Sequence, residues 1–357
     1  MTMQVEPKAK PAPPGRIMGW EVAQSLEKEK PTVLTRLKPG KREFRAAFWG
    51  LAAFFLVFLV GCWLAGNPFD STRRVASGVV ESHGWVGTDN WGIFWWVVLI
   101  AAVMEFLDAS AGMGYGTAIT PLLLVLGFDP IQIVPVVMIQ QAAAGILGAF
   151  LHNEFGNVQW KFCPMSETVK LWLIMGVIGC LAVAFSVTAV YGLLKLAKVW
   201  IKLYVAVLLV AMGVISLVGA RRDRPYRPGC MFFYGALAGF NKGIGGGGYG
   251  PVVTIGGLLS GVPVKSMMAV TAISEGSVCC VSIIVWFLMM NHGVVLDFVL
   301  LPSMILGSMI AAVVAPYATR VFPERIWKVC VPVYCCLLAA YCLWKIIPQV
   351  IAAVTDL

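Results

Sequence analysis

Charge is scarce in this chain: only 13% of its 357 residues are Asp, Glu, Lys or Arg, and histidine occurs three times. A soluble domain carries about 25% charged residues. With 59% hydrophobic residues and a mean hydropathy of +0.83, a water-exposed globule is excluded. The shortage of histidine also removes the usual metal chemistry. None of the ten cysteines has zinc-ligand spacing with a histidine. Most lie inside apolar runs (Cys62, Cys180, Cys279, Cys280, Cys330, Cys335, Cys336, Cys342), where free cysteine packs as a small hydrophobe. A secretory leader is not expected, because residues 1–44 are polar, proline-containing and charged, with no early apolar core. A P-loop is missing too: no Lys-Ser or Lys-Thr follows the glycine runs, and no βαβ pattern surrounds them. No cofactor is expected, beyond a coupling proton or cation.

Apolar segments, in contrast, are abundant, and several are long enough to cross a hydrocarbon core about 30 Å thick. The expected location is the cell membrane, crossed many times. The net charge of +9 could suggest nucleic acid, but its distribution argues against that partner. Of 27 Lys and Arg, ten lie between Lys8 and Arg45, and four more are Arg221, Arg222, Arg224 and Arg227. Basic clusters beside apolar spans report orientation, basic side inward. The partners expected are the lipid bilayer and a small anionic substrate, and the pattern is compatible with a homo-oligomer.

The chain is internally duplicated. Shifted by 134 positions, Gly114-Tyr115-Gly116 falls on Gly248-Tyr249-Gly250, Thr120 on Thr254, Leu124 on Leu258, Gly127 on Gly261, Val136 on Val270 and Ile139 on Ile273. The surrounding glycine turns are Ala111-Gly112-Met113-Gly114-Tyr115-Gly116 and Gly245-Gly246-Gly247-Gly248-Tyr249-Gly250. Glycine breaks at corresponding places in two apolar halves are the sequence pointer to a transporter's binding site.

The organisation expected is a cytosolic tail at 1–44, an extra transmembrane helix with an extracytoplasmic linker at 45–90, repeat one at 91–220, a basic cytoplasmic loop at 221–229 and repeat two at 230–357. Within the tail, Trp20 to Leu26 reads either as a short amphipathic helix on the membrane surface or as disordered chain. Full spans are predicted near 46–66, 131–151, 168–191, 198–219, 264–290, 295–318 and 325–347. The short segments at 114–126, 230–241 and 249–260 reach only about 18 Å as helix. They are read as half-helices meeting at a glycine break, with the unwound backbone buried in protein or facing a cavity. The fold class is therefore an all-α polytopic membrane protein. It has two inverted repeats, each a glycine-broken hairpin plus three spanning helices, after one extra N-terminal span. The N-terminus is expected in the cytoplasm and the C-terminus outside, with the lysines Lys195 and Lys198 dissenting on the outer side.

A half-helix starting after each turn exposes unpaired backbone N–H groups and a partial positive charge. Glycine lets that backbone approach a ligand closely, so two such ends brought together form an anion cradle. The competing reading is that the glycines only permit close helix packing. Candidate substrate-binding residues are Gly112, Gly114, Tyr115, Gly116, Thr120, Gln141, Asn241, Lys242, Gly245, Gly246, Gly247, Gly248, Tyr249, Thr254 and Ser274. Glu105, Asp108 and Glu275 are the coupling or ion-pair candidates, since ionisable groups in apolar segments are costly and usually functional. At the 134 offset Asp108 lands on Lys242, and Gln141 on Glu275. Asp108 and Lys242 can therefore pin the repeats together as a salt bridge, or Lys242 can serve the anion and a carboxylate the coupling ion. His152 and His292 each follow a span and read as loop residues.

Two motifs resemble the sulfite exporter TauE/SafE family of permeases. They are Gly112-Met113-Gly114-Tyr115-Gly116 with Pro121 and Leu122 to Gly127, and Gly243 to Gly250 with Pro251 and Gly261-Val262-Pro263. The likeness covers roughly 91–347, with Met113 standing where the first motif would carry another glycine. The resemblance implies transport of small sulfur oxyanions or organosulfonates, such as sulfite, thiosulfate or sulfoacetate-like compounds. A secondary transporter is the main expectation. An anion channel could use the same cradle. A membrane enzyme is a third class, disfavoured because no nucleophile–base pair accompanies the glycine turns.

Overall fold

The computed structural model describes residues 17–65, 93–112, 114–125, 128, 130–190, a few positions between 203 and 214, 225–290 and 298–355. Its elements are all helices: α1 (Glu21–Glu29), α2 (Val33–Arg36), α3 (Lys41–Leu64), α4 (Trp95–Ala111), α5 (Tyr115–Val125), α6 (Pro130–Glu154), α7 (Glu167–Val187), α8 (Cys230–Gly245), α9 (Tyr249–Leu259), α10 (Val264–Met290), α11 (Leu301–Val321) and α12 (Glu324–Thr355). Among the described residues, the helices over α3, α6, α7, α10 and α11 are long and apolar enough to cross a membrane. Those five coincide with predicted spans. Most of the predicted span near 198–219, the linker 67–90, Arg221 to Arg224, Lys195, Lys198 and Asn291-His292 lie outside the described residues.

The boundaries differ from the sequence reading for local reasons. Helix α3 begins at Lys41 rather than 46, because the charged first turn has a partner: Glu43 accepts from Arg320 at 2.5 Å. Helix α11 begins at Leu301, with a proline in its first turn where a missing N–H costs nothing. Helix α8 runs through Asn241, Lys242 and Gly245, so the break in repeat two is shorter than predicted.

The packing has an exchange pattern. Helix α4 lies against α11, and α8 lies against α7. Helix α6 packs on α11, α10 packs on α7, and α6 and α10 pack on each other. Shifting each helix by one repeat turns α4–α11 into α8–α7 and α6–α11 into α10–α7. The central α6–α10 crossing is tight because it lacks side chains: a Cβ added at Gly145 would sit 2.8 Å from Gly276 Cα.

Loops gather at one end. Ser266 Oγ donates to Asn157 O, Arg227 N to Ser260 O, and Lys265 Nζ to Arg320 O. The N-terminal segment lies across this end. Gly19 O accepts from Gln159 N, Ile17 O from Glu167 N, and Met18 O from Thr168 N. Glu27 pairs with Lys265 at 2.7 Å, and Arg42 with Glu154 at 2.6 Å. Of the two readings of the tail, a helix is what forms; Ala23 within it and Met18 and Trp20 just before it are buried against the protein itself. The start of α4 lies instead beside the start of α11, where Phe94 N donates to Ser303 Oγ.

Candidate functional site

Helices α4 and α8 both end on a glycine in the left-handed region, Gly112 at φ +70 and Gly246 at φ +72. Each sends its N–H back four residues, to Asp108 O at 2.7 Å and Lys242 O at 2.9 Å. Gly114 (φ +147) and Gly248 (φ +82) then lead into α5 and α9. A Cβ costs free energy at such angles, so glycine is required here for conformation as well as for space. The four positions correspond at the 134 offset. Gly116 and Gly250 belong to the first turns of α5 and α9 rather than to the breaks.

The two turns touch. A Cβ on Gly247 would lie 2.5 Å from Gly116 C and 2.7 Å from Thr117 Cα, and Gly248 N donates to Thr117 Oγ1 at 2.9 Å. Thr254 of α9 donates to Gly112 O at 2.7 Å and shares a 3.0 Å hydrogen bond with Thr271. Its counterpart Thr120 faces Gly246, 3.2 Å from where a Cβ would stand. Each threonine therefore addresses the other repeat's left-handed glycine.

Beside the turns runs a buried polar chain. Lys242, fully buried, donates to Glu275 Oε1 at 2.5 Å and to Gln141 Oε1. Gln141 Nε2 in turn faces Asp108 Oδ2 at 3.4 Å, and the Asp108 carboxylate accepts the Tyr115 backbone N–H at the start of α5. Gln140 Nε2 donates to Glu105 Oε2 at 2.7 Å. The lysine's ion pair thus runs to Glu275, not to Asp108. Asp108 joins the chain one amide away, through Gln141.

Glu105, Asp108, Gly112, Gln141 and Glu275 line a narrow cavity of about 20 Å³ between α4, α6 and α10. That is room for about one water molecule. Gly145, Gly148 and His152 on the same face of α6 also line this cleft, which admits water over that small volume alone; His152 lies eleven residues, or roughly 16 Å along the helix, from Gln141. His152 corrects the loop reading. It lies inside α6 with 1% exposure, its Nδ1 is 2.9 Å from Asn157 Nδ2, and the same Nδ2 donates to Pro316 O. Sequence reasoning also passed over Thr117 and Thr271. The signal for His152 was its spacing from Gln141, Gly145 and Gly148, which keeps it on one helical face.

Other candidates lie off the cavity. Tyr115 and Tyr249 are fully buried in the two apolar cores, Tyr115 facing Ser308 of α11 and Tyr249 donating to Met175 O of α7 at 3.4 Å. They pack α5 and α9 against helices of the other half of the chain, and their rings do not reach the cavity wall. Asn241 precedes Lys242 and accepts from Tyr204, and its Nδ2 has no partner among the described residues. Ser274 and Gly245 are buried beside the second turn.

These features agree with comparisons to known proteins. A family model described as sulfite exporter TauE/SafE matches residues 97–342. Probable membrane transporter protein YtnM of Bacillus subtilis (strain 168) is 27% identical over 243 residues, 65% of this chain and 76% of that relative. No solved structure matches the chain. A match over more than half the length, to an all-helical protein with several span-length helices, is decisive: the chain belongs to the sulfite exporter TauE/SafE family of membrane transporters.

Proposed function

We propose that the protein is a secondary transporter of a small anion, a sulfur oxyanion or organosulfonate, bound beside Lys242 where the two glycine turns meet. The observation that carries this reading is a fully buried ammonium next to paired helix starts. A buried charge has to keep a partner; Glu275 fills that place in the structure, and an anionic substrate can take it. Backbone N–H groups at the starts of α5 and α9 add partial positive charge at the same place. The name of the family and that of the relative point the same way.

The fold is read as two inverted repeats, each opening with a glycine-broken hairpin. The residue-for-residue match of Gly112 with Gly246 and the exchange pattern of helix contacts support this. So do the opposite ends at which α4 and α8 begin. Transport then proceeds by alternating access, with the loops bound to the N-terminal segment on the cytoplasmic side and the C-terminus outside. The acidic members Glu105, Asp108 and Glu275 carry the coupling proton or cation. Labelling of single cysteines at Arg224 and Asn291 should report opposite faces of the membrane; labelling from one side would end the inverted topology.

The direct test is counterflow in proteoliposomes. Purified protein preloaded with unlabelled sulfite, thiosulfate or sulfoacetate should accumulate labelled substrate above the outside concentration. A channel lets the anion equilibrate without that overshoot, and a protein inert to all three anions rejects the proposed substrate class.

A further inference from the structure

The 134 offset places unlike charges at like positions. Repeat one has an acid on its hairpin and an amide on its crossing helix, Asp108 and Gln141. Repeat two has a base and an acid, Lys242 and Glu275. The consequence is two turns of different character. At the first, the chain supplies its own anion: the Asp108 carboxylate already accepts the Tyr115 N–H at the start of α5. At the second, the equivalent residue is a cation, and two buried polar atoms at this break have no hydrogen-bond partner among the described residues. They are Asn241 Nδ2, 1% exposed, and Thr120 Oγ1, 2% exposed, the latter facing Gly246. An amide N–H and a hydroxyl both donate hydrogen bonds, and a buried donor left unmade is costly. Two idle donors, one on the residue preceding the lysine and one at the Gly246 turn, suit an oxyanion bound there.

The ammonium is nevertheless already engaged, by Glu275 Oε1 at 2.5 Å. We infer that Glu275 is a tethered competitor for the substrate: its carboxylate holds Lys242 until an external anion displaces it, and the protein binds one anion, at the second turn alone. This rests on the anion site proposed at Lys242. The exchange keeps the lysine's charge compensated throughout, which a low-dielectric interior demands. It also explains why the acid stays in place without substrate. Glu275 lines the same narrow cavity as Glu105 and Asp108, so moving it off the lysine brings it toward like charges. An arriving anion supplies the missing attraction, and Asn241 and Thr120 give that anion hydrogen bonds that Glu275 leaves unmade.

The test is calorimetric titration of sulfite into the purified full-length protein and its variants. Glu275→Gln should bind at least tenfold more tightly than the unaltered protein. Glu275→Asp keeps the charge but shortens the arm by a methylene, and should bind about fivefold more tightly. Glu154→Gln removes a charge that pairs with Arg42 at the loop end, away from Lys242, and should stay within about twofold. Stoichiometry should be one anion per chain. Unchanged or weaker binding in both Glu275 variants overturns the inference, as does an equal gain from Glu154→Gln or a second anion per chain. Failure of the underlying site looks different: the unaltered protein and Lys242→Ala would then bind sulfite equally, or neither would bind it.

Discussion

Lys242→Ala should abolish saturable anion binding, and transport with it. A hydrogen bond to a charged group contributes about 1.5–3 kcal/mol, equivalent to roughly 10- to 150-fold in affinity at 1.4 kcal/mol per decade. The single variant should also melt at lower temperature, since it strands the Glu275 carboxylate in a buried site. The informative protein is therefore the double variant Lys242→Ala, Glu275→Gln. If the pair merely pins helices together, removing both charges restores stability and transport alike. If the lysine serves the anion, the double variant recovers its melting temperature and remains unable to bind. Thermal-shift and counterflow measurements on the same preparations separate the two, and recovered transport would defeat the assignment.

Gly247→Val should eliminate transport at least tenfold while leaving the protein able to insert in the membrane. The added Cβ meets Gly116 C and Thr117 Cα, which are backbone and cannot swing aside. Overpacking of this kind costs about 1–3 kcal/mol, and here it is relieved only by driving the two turns apart. Gly176→Ala is the matched control. Its Cβ would find neighbours no closer than 3.6 Å, on Trp172 and Ser277, and activity should stay near that of the unaltered protein. Normal counterflow by Gly247→Val would reduce the turns to spacers.

Much of this arrangement could be read before any coordinates. The glycine turns stand out because two copies in register are hard to explain by packing alone. The charged residues stand out because water cannot solvate them in apolar segments. What stayed hidden depends on contacts across the chain. The 134 offset equates Asp108 with Lys242, yet sequence equivalence is not proximity. The lysine reaches Glu275 on α10, 33 residues away, because α8 continues past Asn241 instead of breaking there. His152 read as a loop residue because it ends an apolar run. Its burial depends on Asn157 and the Pro316 carbonyl, the latter from the other repeat. The tail's amphipathic pattern fits a lipid surface and a protein surface equally well. Contacts across the chain decide for protein: the Tyr226 ring, which meets Trp20 edge-on at 5.5 Å, the Gln159, Glu167 and Thr168 amides, and Lys265, which pairs with Glu27.

The contact between Gly145 and Gly276 has a mechanical consequence. Gly276 falls at the middle of α10, with some thirteen residues on either side, so each arm measures about 20 Å at 1.5 Å per residue. A rod held at its centre is a lever with equal arms. Tilting it by about 10° carries each tip roughly 3.5 Å, in opposite directions, on the dimensions of an ideal helix. Because no side chain stands between the two backbones there, the fulcrum has nothing to repack as the rod turns. Under the proposed alternating access, such a tilt would tie widening at one membrane face, by leverage alone, to narrowing at the other.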